Sequence, residues 1–170
     1  INMQMDIEKI MEEEMLTAKK EYNTKYYNTS YMVVSNPITG EVISLIGKNL
    51  NDDQTFNDYS YYNVINSFTI GSAVKGASIS VGYNNHIIDE NTKVKDGCVY
   101  LKNQGGKCSW KTLGVMNDIE ALRMSSNYFQ YLIAVGLTGH KYKAGLTLNA
   151  NKSHFDIYRD TFASYGLGTK

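Results

Sequence analysis

The stretch Ser67-Phe-Thr-Ile-Gly-Ser-Ala-Val-Lys-Gly-Ala-Ser-Ile-Ser-Val-Gly82 decides how the rest of the chain is read. An apolar, turn-bounded approach ends at Gly71, and the residues that follow predict a helix closed by Gly82. Ser72 and Lys75 lie three positions apart in that run, so on a helix they share a face at its first turn. The unpaired backbone N–H groups of a first turn favour developing negative charge. A serine is a poor nucleophile until a neighbouring base takes its proton. A lysine can be that base once burial or a nearby cation lowers its pKa. A chain with this Ser and Lys content contains about one Ser-x-x-Lys by chance. The plainer alternative is a serine capping a helix beside a solvated lysine, so the pair has to be judged by its context.

At 170 residues the chain is one domain or a large part of one. Its 42% hydrophobic and 20% charged residues are ordinary for a globular protein. Zero net charge argues against electrostatic binding of nucleic acid or of an anionic membrane. Arg123 and Arg159 are the only arginines, which leaves few forks for bidentate phosphate recognition. Abundant Tyr and Asn suggest a polar, hydrogen-bonding surface. No apolar run reaches the roughly 18 residues of a membrane span, and no signal peptide is present. The chain opens at Ile1 and ends at Gly166-Leu-Gly-Thr-Lys170, so it reads as a piece of a longer protein and missing targeting signals carry little weight. Cys98 and Cys108 flank a polar loop, Leu101-Lys-Asn-Gln-Gly-Gly-Lys107, that suits a short hairpin. The sequence leaves open whether they form a disulfide or stay free thiols. His86, His140 and His154 lack ligand-type spacing to either cysteine, so no metal site is expected.

Taken in order, Asp6 to Tyr22 predicts an amphipathic helix capped by Asp6, with Ile7, Ile10, Met11, Met15 (or Leu16) and Ala18 as its buried stripe. Its glutamates come early and its lysines late, which suits the macrodipole. Tyr31–Asn36 and Glu41–Gly47 predict a hairpin around the turn Pro37–Gly40. Its nearly continuous apolar strands suggest a sheet covered on both faces. Lys48 to Asn63 reads as a polar loop, and Tyr83 to Trp110 as loop with a short hairpin. Asn117 with Glu120 three residues on is a capping-box variant opening a helix from Ile119 to Met124. Ser125-Ser126-Asn127 then interrupts, before a helix from Tyr128 to Gly136. Ser153 to Tyr165 predicts the last helix, with Ser153 as N-cap and Gly166 just past its end. The order of elements gives α+β, with helices packed on an antiparallel sheet. No Gly-rich run follows a strand and opens a helix, so no phosphate cradle is read.

Ser125-Ser126-Asn127 is the second polar element. A short connection between helices can push small polar side chains into a cleft, where Ser125 would relay a proton and the Asn127 amide would hold a carbonyl or the lysine amine. The plainer alternative is that these residues cap the following helix.

Together the pieces resemble the penicillin-binding protein transpeptidases. Gly71-Ser72-Ala-Val-Lys75 and, some fifty residues later, Ser125-x-Asn127 match the first two of the family's S-x-x-K, S-D-N and K-T-G motifs. Ile1-Asn-Met-Gln-Met-Asp-Ile-Glu-Lys-Ile10 resembles the L-T-I-D…L-Q entry, and Val33-Val-Ser-Asn-Pro-Ile-Thr-Gly-Glu-Val-Ile-Ser-Leu45 the D-P-x-T-G-E-I-L-A-M hairpin. Ala121-Leu-Arg-Met-Ser-Ser-Asn-Tyr-Phe129 resembles A-L-x-x-S-S-N-x-x-F, and Tyr165-Gly-Leu-Gly-Thr-Lys170 the F-G-L-G-x-x-T-G segment of the monofunctional, class B members. The resemblance covers nearly the whole chain, in the family's order. Ile70 stands where the family often has Pro, Asn36 stands where it has Asp, and a Lys-Thr/Ser-Gly motif is absent. The chain is therefore expected to be the front part of a transpeptidase domain, inactive by itself and prone to associate through an exposed sheet edge.

The resemblance implies a D,D-transpeptidase that cross-links peptidoglycan stem peptides through an acyl-enzyme on Ser72 and is acylated there by β-lactams. It implies that Lys75 is the general base, that Ser125 relays a proton to the leaving group and that Asn127 orients substrate and lysine. The oxyanion hole would be the Ser72 backbone N–H and one donor from the strand carrying the third motif. No cofactor is implied. Partners would be stem peptides, β-lactam antibiotics and cell-division or elongation proteins, with no nucleic acid. The implied location is the outer face of the bacterial membrane, with an anchoring helix ahead of this chain. A β-lactam sensor or β-lactamase of the same fold is the alternative, followed by a non-catalytic scaffold module.

Overall fold

The computed structural model describes residues 2–168, and the chain divides into two compact units, Ile1–Thr69 and Ile70–Lys170. Ile1, Thr169 and Lys170, quoted in the resemblance, lie outside the described residues.

In the first unit, helix α1 (Asn2–Ala18) packs on a three-stranded antiparallel sheet, β1 (Thr29–Ser35), β2 (Val42–Leu50) and β3 (Phe56–Asp58), in the order β1-β2-β3. Ile7, Met11 and Met15 repeat at a spacing of four, which keeps them on one helix face, and they pack with Ile46 and Leu50 of β2. Ser44, Ile46, Lys48 and Leu50 of β2 face the helix, as the period of two requires. Ser44 Oγ donates to Gln4 Oε1 at 2.6 Å, and Lys48 Nζ pairs with Glu8 at 3.3 Å and Glu12 at 2.8 Å.

Several expectations are corrected here. The helix starts at Asn2 and ends at Ala18, so Asp6 lies inside it rather than capping it. Ile10 is 55% exposed and falls off the buried stripe. The lysines meant for the last turn lie beyond the helix, where Lys19 Nζ donates to the carbonyls of Thr24 (3.2 Å) and Tyr27 (2.7 Å) and ties down the connection to β1. The sheet is not covered along its whole length: Val33, Val42 and Ile43 are exposed, because α1 packs against one face, toward the far end of β2. The Lys48–Asn63 stretch is not a loop. β2 continues to Leu50, an Asx turn in which Thr55 N donates to Asp53 Oδ1 reverses the chain, and β3 pairs back. The polar composition of Phe56-Asn-Asp58 hides that strand. Helix α2 (Tyr62–Ile65) follows. The β1–β2 turn is as expected: Asn36 Oδ1 accepts from Ile38 N (2.9 Å) and Thr39 N (3.3 Å). Asparagine thus supplies the acceptor that an aspartate would, and Gly40 sits at φ +75°.

The second unit begins with a 3₁₀ turn, Gly71–Val74, which runs into helix α3 (Lys75–Asn84). Two ribbons follow: β4 (Val94–Lys95) pairs with β7 (Val115–Met116), and β5 (Cys98–Val99) with β6 (Lys107–Cys108). Cys98 sits opposite Cys108, and a disulfide joins them. Helices α4 (Asp118–Arg123), α5 (Asn127–Leu137) and α6 (Lys152–Ser164) complete the unit. Ile79 of α3, Ile88, Met116, Ala121, and Phe129 and Ile133 of α5 form its core. Gly82, expected to close the Ser72 helix, lies inside α3. A Cβ there would come within 2.9 Å of Ile88 Cγ1 and 3.1 Å of Ile133 Cδ1, so close packing is what requires the glycine. The Asn117–Glu120 capping box forms as expected. The last helix is capped by Asn151, not Ser153, and closes in a Schellman motif, with Gly166 at φ +75° and bonds from Leu167 N to Phe162 O and Gly166 N to Ala163 O.

Candidate active site

Ser72 lies in the 3₁₀ turn and Lys75 opens α3. A 3₁₀ turn eclipses residues i and i+3, so the two side chains start from the same face, as the spacing predicts. Gly71 takes φ +60° with open space where a Cβ would be, so the backbone conformation alone demands glycine there. Ser72 is exposed and Lys75 is half-buried. Among the described residues, Ser72 Oγ accepts from Ser125 Oγ at 3.0 Å, and no hydrogen bond joins it directly to Lys75 Nζ.

Lys75 reaches the α4–α5 connection instead. Its Nζ lies 2.8 Å from the Ser125 carbonyl oxygen, 3.0 Å from Ser125 Oγ and 2.6 Å from Asn127 Oδ1. All three acceptors are neutral. Burial pushes the Lys75 pKa below its ordinary value of 10.5, and no carboxylate opposes the shift. The result is a line of polar atoms, Lys75 Nζ–Ser125 Oγ–Ser72 Oγ, with Asn127 holding the amine from the side.

The connection is shaped to present Ser125. Helix α4 ends in a second Schellman motif: Ser126 N donates to Ala121 O at 2.8 Å and Ser125 N to Leu122 O at 3.0 Å. Ser125 fills its left-handed position at φ +53°, where glycine is the usual occupant. A serine there is strained by about 1 kcal/mol, and its hydroxyl contacts both Ser72 and Lys75. Ser126 is fully buried and caps α5, accepting from Phe129 N at 3.1 Å. The Ser-Ser-Asn triplet therefore divides its contacts: Ser126 caps the helix, while Ser125 and Asn127 face the lysine.

The model of the penicillin-binding protein transpeptidase domain matches residues 30–170. The chain belongs to the penicillin-binding protein transpeptidase family. It is 34% identical to penicillin-binding protein 2A and 28% identical to penicillin-binding protein H, both of Bacillus subtilis strain 168, with all of this chain aligned. It spans about a quarter (24%) of the length of each of these relatives. The solved structure of penicillin-binding protein 2B from Streptococcus pneumoniae strain 5204 superposes on 98% of this chain at a TM-score of 0.88 and 28% identity, and 29% of that chain is covered. The α+β fold read from the order of elements, helices with antiparallel sheets, agrees with this neighbour.

The four residues singled out in the sequence, Ser72, Lys75, Ser125 and Asn127, thus come together in one hydrogen-bonded group. Sequence reasoning missed its backing. Asp96 and Ser109 lie in a stretch read as loop, yet both are linked by hydrogen bonds to the Ser126–Tyr128 backbone or side chains. The only local signal was two short polar residues beside the cysteine pair.

Proposed function

We propose that the protein carrying this chain is a peptidoglycan D,D-transpeptidase, with Ser72 as nucleophile and Lys75 as its base acting through Ser125. The observation that carries the reading is the Lys75 Nζ–Ser125 Oγ–Ser72 Oγ line, in which every partner of the lysine is neutral. A neutral amine can keep its two remaining N–H bonds on the Ser125 carbonyl and Asn127 Oδ1 while its lone pair faces Ser125 Oγ. The Ser72 proton then passes to Ser125 Oγ as the Ser125 proton passes to Lys75 Nζ. The freed Ser72 oxygen bonds the penultimate D-Ala carbonyl carbon of a stem peptide. The C–N bond to the terminal D-Ala breaks as the leaving amine takes a proton back along the same path. An acceptor amine from a neighbouring stem then attacks the acyl-Ser72 ester and releases Ser72. A β-lactam enters the first half of this sequence, since its ring amide is attacked in the same way.

The Ser72 backbone N–H is one oxyanion donor in this scheme, and the second comes from outside residues 1–170. Stem peptides and β-lactams are the ligands of the reading, and cell-division or elongation proteins its wider partners. The place of action is the outer face of the bacterial membrane. No described helix is long and apolar enough to cross a membrane. The test is intact mass of the full-length protein after benzylpenicillin, with peptide mapping. A single adduct on Ser72, absent from Ser72→Ala, is expected. An adduct elsewhere, or none on the full-length protein, overturns the reading.

A further inference from the structure

We infer that Asp96 is a positioning residue that aims Asn127 at Lys75 by setting the direction of two serine hydroxyls. Asp96 is 7% exposed. Its Oδ1 accepts from Ser109 Oγ at 2.8 Å and from Ser126 Oγ at 3.1 Å, and its Oδ2 accepts from Leu113 N at 3.2 Å. No ion pair is formed by it among the described residues.

A serine hydroxyl has one proton to donate and lone pairs to accept with, and it rotates to suit its surroundings. The two hydroxyls lie 3.2 Å from each other and both within donating distance of the same carboxylate oxygen, the stronger acceptor, and protons directed there leave the lone pairs facing α5. The unpaired N–H groups of that helix's first turn use them: Asn127 N (3.1 Å) and Tyr128 N (3.2 Å) donate to Ser109 Oγ, and Phe129 N (3.1 Å) donates to Ser126 Oγ. Two oriented hydroxyls thus satisfy three consecutive donors that a helix start otherwise leaves open. The first of these residues is Asn127, whose side-chain oxygen lies 2.6 Å from Lys75 Nζ.

The β5–β6 ribbon holds the other side of this arrangement. Ser109 directly follows Cys108, and Asn127 Nδ2 donates to the Cys108 carbonyl at 3.4 Å. Asp96 lies two residues before Cys98, so the disulfide joins the two short segments that carry the carboxylate and the hydroxyl. Without Asp96, the Ser109 and Ser126 hydroxyls are free to turn their protons toward α5, where donor would meet donor. The first turn would loosen, and the Asn127 amide would lose its fixed approach to the lysine.

The inference rests on the proposed acylation chemistry for its effect on rate, and its test carries a second readout that does not. In the full-length protein, Asp96→Ala, Asp96→Asn and Ser109→Ala are compared with the unsubstituted protein in two assays. The first is hydrogen exchange of the 127–129 amides. The second is benzylpenicillin acylation, resolved into a binding constant and a first-order acylation rate. Exchange at 127–129 should speed up about tenfold in Asp96→Ala and Ser109→Ala while α3 stays protected. Acylation should slow at least tenfold at unchanged binding, with Asp96→Asn partly restored because it keeps one acceptor oxygen. Should Asp96→Ala fail to fold, Ser109→Ala removes a single hydroxyl and decides the matter alone. Exchange within twofold of the unsubstituted protein sinks the inference, and so does a fall confined to binding. Faster exchange at 127–129 in a protein that benzylpenicillin never acylates would uphold the positioning role and refute the transpeptidase reading instead.

Discussion

Two lysines, one in each unit, are partly withdrawn from water and end with opposite proton affinities. Lys48 in β2 is 12% exposed and lies between Glu8 and Glu12 of α1. Burial works against its charge, but the hydrogen bonds and charges of the two glutamates outweigh burial, and its pKa is raised above 10.5. Lys75 meets only a carbonyl, a hydroxyl and an amide, so burial acts unopposed and its pKa falls. The residue type and the loss of water are shared, and the charge of the partners differs. That difference separates a lysine that fastens a helix to a sheet from one whose proton is held less tightly than an ordinary lysine's.

The sign for stability differs accordingly. The Lys48 contribution is fully present below pH 10.5 and is lost as pH rises through its raised folded pKa. Lys75 does the reverse: below its lowered folded pKa its charge is a cost to folding, which shrinks as pH climbs toward 10.5.

The sharpest break of the comparison is Lys75→Met in the full-length protein. It should lower benzylpenicillin acylation at Ser72 by about 10³-fold or more, with thermal stability held or slightly raised because a half-buried cation is gone. Next is Ser125→Gly, which removes the proposed relay hydroxyl from a left-handed position that glycine prefers. Acylation should fall about 10²-fold while stability rises by up to about 1 kcal/mol by thermal denaturation. A loss of stability there would show that Ser125 is held for folding. Asn127→Asp asks whether Lys75 can be turned into a second Lys48. A carboxylate 2.6 Å from the amine should raise its pKa and slow acylation about tenfold to a hundredfold at neutral pH, with the deficit narrowing as pH increases. The smallest effect belongs to Lys48→Met, which leaves Glu8 and Glu12 without their partner. It should cost about 1 kcal/mol of stability and leave the acylation rate of the folded protein unchanged.

Much of this was legible in the sequence because it rests on local chemistry. The Asn117 capping box, the Asn36 turn and the Ser72–Lys75 spacing each follow from residues within a turn of one another. What stayed hidden depends on contacts distant in the chain. Strand β3 is polar in composition and exists because β2 pairs with it. Gly82 reads as a helix stop, yet it is required by Ile88 and Ile133. The direct Ser72–Lys75 pairing suggested by spacing gives way to a path through Ser125, since the lysine finds three acceptors on Ser125 and Asn127, about fifty residues away. The strain at Ser125 could not be read at all, because nothing in the letters Ser-Ser-Asn marks a left-handed backbone.

The most direct measurement is the pH dependence of the benzylpenicillin acylation rate constant of the full-length protein. With Lys75 as a base among neutral partners, the rate should rise with pH and level off at an apparent pKa below 10.5, and Asn127→Asp should move that midpoint upward. A midpoint at or above 10.5, or one that ignores Asn127→Asp, would contradict the account.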